Sequence, residues 1–86
     1  MSYTILIRRQ AQKKLKSLSA KDKVRIAEKI ELLGHNPDDA QLDIKKLSGQ
    51  AYYRLRVGDW RIIYDRHDMI RVIEIEKIDA RGGVYK

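Results

Sequence analysis

Arg54, Arg56 and Arg61 are the side chains of this 86-residue chain best placed to do chemistry. A guanidinium stays protonated at physiological pH and grips phosphate oxygens through paired N–H groups. A cluster of guanidiniums therefore points to a polyanionic ligand and to stabilisation of negative charge developing on phosphorus. It does not point to a proton acceptor. The segment YYRLRVGDWRIIY, Tyr52 to Tyr64, supplies the geometry. It reads as two strands joined at Gly58-Asp59, and a two-residue turn fixes which side chains share a face. If Val57 pairs with Trp60, Arg56 pairs with Arg61 and Arg54 with Ile63, so all three arginines point the same way. Tyr53, Leu55, Val57, Trp60, Ile62 and Tyr64 take the opposite face as a core layer, which makes Trp60 and Tyr53 packing residues rather than base-stacking platforms. Like charges across strands are unfavourable, so Arg56 beside Arg61 requires a counterion, and phosphate fits.

The elements around this hairpin follow from the spacing of apolar residues. Tyr3 to Ile7 predicts an opening strand. Arg9 to Leu18 switches to helical period, with Ala11, Leu15 and Leu18 on one stripe and Lys13, Lys14 and Lys16 off it. Ser19 followed by Asp22 resembles a capping box, and a second helix with an apolar face of Val24, Ile26, Ala27, Ile30 and Leu33 should end at Gly34 and Pro37. The two helices should form a hairpin over the sheet. Leu42 to Gly49 is expected to connect helices to sheet, with Gly49 supplying a backbone conformation other residues resist. Met69 to Ile78 predicts a third strand of the meander after a turn near His67-Asp68. A two-residue turn there would put Ile73 and Ile75 in the core but Ile70 and Val72 on the arginine face, whereas another loop length would shift the register. The expected fold class is α/β in the α+β sense: strand, helix, helix, then a three-strand antiparallel meander, with the helical hairpin packed on a small, mostly antiparallel sheet. Residues 1–86 are expected to form a single domain.

Nineteen Lys and Arg against twelve Asp and Glu give a net charge of +7, a balance that favours nucleic acid as partner. Residues 1–36 hold nine basic and three acidic side chains and residues 52–86 hold eight and six, so the helical half carries most of the field. Lys13, Lys14 and Lys16, with Lys45 and Lys46, are candidates for RNA or ribosome backbone contacts that steer rather than catalyse. The absence of cysteine excludes disulfides, thiol catalysis and cysteine-dependent zinc sites. No segment has the length and apolarity of a signal peptide or membrane span, so the cytoplasm is the expected compartment and no membrane partner is expected. His35 and His67 lie far apart beside turn residues and are expected to be surface histidines; no metal site and no cofactor are expected.

The order of elements, the Leu47-Ser48-Gly49 approach, the YYRLRVGDWRIIY hairpin and the ending Asp79-Ala80-Arg81-Gly82-Gly83-Val84-Tyr85 together resemble the RelE/ParE superfamily of toxins from type II toxin–antitoxin systems. The hairpin and the Arg-x-x-x-Tyr ending are the specific parts of this resemblance, and they lie closer to the RelE branch. The resemblance implies a RelE-like, microbial ribonuclease-type fold. It implies a ribosome-dependent mRNA endoribonuclease that cuts in the ribosomal A site and is neutralised by a RelB-like antitoxin through an acidic amphipathic segment. By the same resemblance, Arg54 and Arg56 stand where two basic residues hold the RNA backbone, and Arg61 where an arginine binds the scissile phosphate. Arg81 and Tyr85 match the tail arginine and the base-stacking tyrosine. In some RelE enzymes the tail arginine lies two residues earlier, where this chain has Asp79. Tyr85 has a plainer reading as an aromatic that anchors the tail on the sheet.

Such a site implies metal-free attack of the ribose 2′-OH on the adjacent phosphorus, which excludes DNA as a substrate by this route. Two other functions fit the same residues: a ParE-like inhibitor of DNA gyrase without nuclease activity, and a non-toxic nucleic-acid-binding domain.

Overall fold

The change from strand to helical spacing after Ile7 is reproduced in the computed structural model, which describes residues 2–47, 49 and 51–80. Strand β1 spans Thr4–Ile7, helix α1 Arg9–Ser17 and helix α2 Ala20–His35; the strands β2 (Asp43–Lys46), β3 (Tyr52–Val57), β4 (Trp60–His67) and β5 (Val72–Ala80) follow. The five strands form one sheet in the order β1-β5-β4-β3-β2, with β1 parallel to β5 and the other pairs antiparallel. The expected class therefore holds, with one strand more than expected. Asp43–Lys46, expected as a connection, pairs along β3 and extends the meander to four strands. None of the described helices is long and apolar enough to cross a membrane.

Both helices pack their apolar stripes on one face of the sheet. Ala11, Ile26, Ile30 and Leu33 meet Leu55, Ile62, Tyr64, Ile73, Ile75 and Ile78 in the core. Each fully buried Leu or Ile contributes roughly 1.5–3 kcal/mol, so this layer is what holds helices to sheet. Trp60 and Tyr53 pack against it as expected, Tyr53 with its ring stacked on Tyr64 at 5.5 Å. The α2 stripe is narrower than the sequence suggested: Val24 and Ala27 are exposed. Ser19 caps α2 by accepting a hydrogen bond from the Asp22 backbone N–H at 3.2 Å. The helix ends at His35, between Gly34 and Pro37 as expected; Gly34 is also buried, where a Cβ would come within 2.9 Å of Ile5 Cγ1, so its small size lets α2 approach β1.

The hairpin register agrees with the expected one at every pair, including Val57↔Trp60, Arg56↔Arg61 and Arg54↔Ile63. Gly58 in its turn has φ +59, and Gly49 before β3 has φ +70, a region L side chains rarely adopt. The next turn departs from expectation. It uses four residues, Asp68 to Arg71, so Met69 and Ile70 lie in an exposed loop and not in a strand. Tyr64 pairs with Ile75 but Ile63 with Lys77, which leaves Glu76 as the extra residue of a β-bulge. The bulge switches the parity of β5, so Ile73, Ile75 and Ile78 all reach the core and Lys77 and Asp79 reach the arginine face.

Arg66 ties three loops to the end of this sheet. Its guanidinium donates to both carboxylate oxygens of Asp38, at 2.9 and 3.1 Å, and to Asp68 Oδ1 at 2.7 Å, and it lies over the Tyr3 ring at 5.8 Å. Hydrogen bonds from Arg66 hold the Asp38 and Asp68 carboxyls below the ordinary value of 3.8. A carboxyl whose pKa is lowered by folding adds stability above its unfolded value, and this stability is lost as pH falls through the lower folded value. Arg66→Ala is therefore expected to lower Tm by roughly 5 °C at pH 7, with the gap between the proteins shrinking below about pH 4. Melting curves of the two proteins across pH 3–7 check this; a gap that widens on acidification would contradict it.

Candidate functional site

The face of the sheet opposite the helices carries Asp43 and Lys45 on β2, Tyr52, Arg54 and Arg56 on β3, and Arg61 and Ile63 on β4, because cross-strand partners share a face. Arg54, Arg56 and Arg61 share this face, as the expected hairpin register requires. Arg54 is held by β2, with Nη2 3.2 Å from Asp43 Oδ1, while Arg56 Nη1 lies 4.0 Å from the other Asp43 oxygen. Asp43 is the counterion that the pairing of like charges demanded. Only 13% of the Arg54 side chain is exposed, so its position is set by packing and not by solvent. The Nε atoms of Arg54 and Arg56 are shielded and find no hydrogen-bond acceptor among the described residues.

Arg61 stands between Arg56 on one side and Asp79 of β5 on the other. It lines a groove of about 450 Å³ with Tyr52, Leu47, Ile63, Lys77 and Asp79. Lys77 and Asp79 form an ion pair at 3.6 Å along the groove wall. Helix α1 borders the groove through Gln10, whose Nε2 donates to the Glu76 carbonyl at 2.8 Å. The arrangement offers positive donors for a phosphate and, one residue away, an aromatic and two aliphatic side chains on which a flat ring could lie. Tyr52 and Asp43 are additions to the residues singled out in the sequence. Tyr52 has the parity of Arg54 and Arg56 and was within reach of sequence reasoning; Asp43 became visible only with β2.

The lysines do not form one patch. Lys45 pairs with Arg54 and shares the arginine face. Lys46 turns to the other side, its Nζ 5.7 Å from the Tyr53 ring, and Lys14 sits 5.6 Å from the Trp60 ring. Lys13, Lys14 and Lys16 belong to the exposed surface of α1 in the helical layer. Arg81 and Tyr85 lie outside the described residues, as does Ser48.

The two histidines stand in different surroundings. His35 is exposed at the end of α2, but His67 meets Asp65 of its own strand and Glu74 of β5, and one ligand atom from each lies within 4.8 Å of the others. The four-residue turn sets the register that places Glu74 opposite Asp65.

Residues 5–85 match the family described as the ParE toxin of type II toxin–antitoxin system, parDE. A curated protein of Methanocaldococcus jannaschii, a RelE1 toxin by name, is 36% identical over 88 residues, covering 100% of this chain and 98% of the relative. Among solved structures, the chain is similar to an archaeal RelE–RelB complex from Pyrococcus horikoshii OT3, with TM-score 0.83, 35% identity and coverage of 95% of this chain and 98% of the other. A RelB–RelE antitoxin–toxin complex from Methanococcus jannaschii gives TM-score 0.75 at 30% identity, covering 93% and 94%.

Proposed function

The chain belongs to the RelE/ParE superfamily and is a RelE-like toxin of a type II toxin–antitoxin system, and from that premise we propose that it is a ribosome-dependent mRNA endoribonuclease. The observation that carries the reading is the hairpin register, which sets Arg54, Arg56 and Arg61 on one face beside a groove with an aromatic wall. The reaction is an in-line displacement. The ribose 2′-oxygen bonds to phosphorus and the bond from phosphorus to the 5′-oxygen breaks, leaving a 2′,3′-cyclic phosphate and a 5′-hydroxyl. Arg61 stabilises the charge that builds on the phosphoryl oxygens, and Arg54 and Arg56 hold the flanking backbone. A phosphate entering the cluster competes with Asp43 for Arg56, whose contact with that carboxylate is the longer of the two. Tyr52, Leu47 and Ile63 receive the neighbouring base. Arg81 assists at the phosphate or leaving oxygen, and Tyr85 stacks on a base. The site of action is the cytoplasm, where the messenger is read.

An acidic antitoxin segment laid over the same face would satisfy the arginines and exclude RNA at once, as the solved relatives' complexes with RelB suggest by analogy. The match to the ParE description supports a second reading, gyrase inhibition without bond cleavage. Controlled expression separates the two. Arrest of translation with truncated messengers supports the nuclease, whereas induction of DNA damage signalling with intact messengers supports the gyrase reading.

The α1 lysines serve steering in this account. Lys14→Ala removes one exposed charge and a cation–π contact with Trp60, so cleavage at low salt should stay within about threefold of the parent while the salt slope flattens by about one unit. Rates measured from 50 to 300 mM salt check this; a salt-independent collapse in rate would place Lys14 in the site itself.

A further inference from the structure

At the opposite end of the arginine face, β4 and β5 present a second cluster. Asp65 and His67 are two apart on β4 and so point the same way, and Glu74 is the cross-strand partner of Asp65. His67 Nε2 lies 3.4 Å from Asp65 Oδ2 and 3.6 Å from Glu74 Oε1. We propose that these three side chains bind a late first-row divalent cation, with zinc as the representative ion.

The distances carry the inference. Both are longer than the 2.7–3.2 Å range of an ordinary N–H···O hydrogen bond. Two ligands bound at roughly 2.0–2.1 Å around a tetrahedral ion are roughly 3.3–3.5 Å apart, so the 3.4 and 3.6 Å separations from His67 need only a small contraction to close on an ion. The remaining carboxylate oxygens are already committed elsewhere. Asp65 Oδ1 accepts from the Arg66 backbone N–H at 2.8 Å, and Glu74 Oε2 accepts from Arg8 Nη1 at 3.0 Å. Each carboxylate is thus oriented by one oxygen and offers the other to the space beside His67, the role that outer partners play around bound metals. The ligands stand on paired strands and not on a loop, so little ordering is needed for an ion to enter.

The donor set selects the ion. An imidazole nitrogen with two carboxylate oxygens suits zinc, cobalt or nickel, whereas magnesium and calcium prefer oxygen alone. Arg8 pairs with Glu74 at 3.0 Å, and Asp65 adds a second carboxylate beside His67. Three protein ligands leave a fourth position for water. Six residues of strand separate His67 from Arg61, roughly 20 Å, so the ion would not touch a phosphate held by Arg61. Its effect is to clamp β4 to β5 and raise the stability of the folded chain. The inference stands independently of the RNA-cleaving reading.

Calorimetric titration of tag-free full-length protein with zinc chloride, with visible absorption on adding cobalt chloride, tests it. One equivalent should bind, cobalt should give the strong bands of tetrahedral coordination, and an equal concentration of magnesium should not compete. His67→Ala and the near-isosteric Asp65→Asn should each weaken binding at least about tenfold while circular dichroism shows them folded, and His35→Ala should leave it unchanged. Absence of binding, undiminished binding in both site variants, or equal loss in His35→Ala would overturn the proposal. Should His67→Ala fail to fold, Asp65→Asn decides alone.

Discussion

Arg61→Ala is expected to lower messenger cleavage by about 10²–10³ or more while leaving the fold intact, because it removes a fixed positive charge from the place where phosphorane charge develops. The position of Arg61 gives this prediction its physical content. It is central in the cluster, paired across the sheet with Arg56 and Asp79, and it lines the groove that would receive the base. An ordinary exposed arginine of a strand would cost within about 0.5 kcal/mol of stability when truncated and nothing in rate. Loss of rate without loss of stability therefore separates the two roles. Single-turnover cleavage and thermal melting of the same preparations supply both readings. A rate within tenfold of the parent would remove Arg61 from the centre of the mechanism.

Binding of a cognate acidic antitoxin segment should raise Tm by roughly 15–30 °C and abolish activity in the same titration. Ligand at about 1,000 times its Kd stabilises the folded state by about 4.1 kcal/mol, and each kcal/mol moves the midpoint of a domain this size by roughly 4–8 °C. A chain of 86 residues has little stability in reserve, so the shift should be large against its own melting point. The contact of Arg54 with Asp43 shows that the arginine face accepts a carboxylate, the group an acidic segment would bring. Stabilisation and inhibition should then share one binding curve and both weaken with salt. Stabilisation with activity intact would mean that the segment binds elsewhere.

The hairpin was legible because a glycine-containing two-residue turn and an alternation running from Tyr53 to Val57 and from Trp60 to Ile62 favour a single register, and that register fixes the arginine face. Strand β2 was not legible. Three of its four residues are charged, and it becomes a strand through pairing with β3 and the contact of Asp43 with Arg54, neither of which is local. The bulge had left a trace: Ile73, Ile75 and Ile78 change spacing from two to three, the pattern expected when one residue is inserted in a strand with a single buried face. The cluster around His67 depended on that turn and register. Asp65-x-His67 is visible in the sequence, whereas Glu74 reaches it only because the preceding turn has four residues and not two. The end of α2 near Gly34 and Pro37 was legible, whereas the contact of Gly34 with Ile5 of β1 was not, because that contact is not local.

The central claim is that the arginine face cuts messenger on the ribosome. Primer extension on a defined messenger, after purified protein is added to translating ribosomes, tests it most directly, with naked RNA and Arg61→Ala as controls. Discrete cuts in the A-site codon that require ribosomes and vanish with Arg61→Ala are the predicted result. An uncut messenger, with the protein folded and free of antitoxin, would contradict the account and turn attention to gyrase.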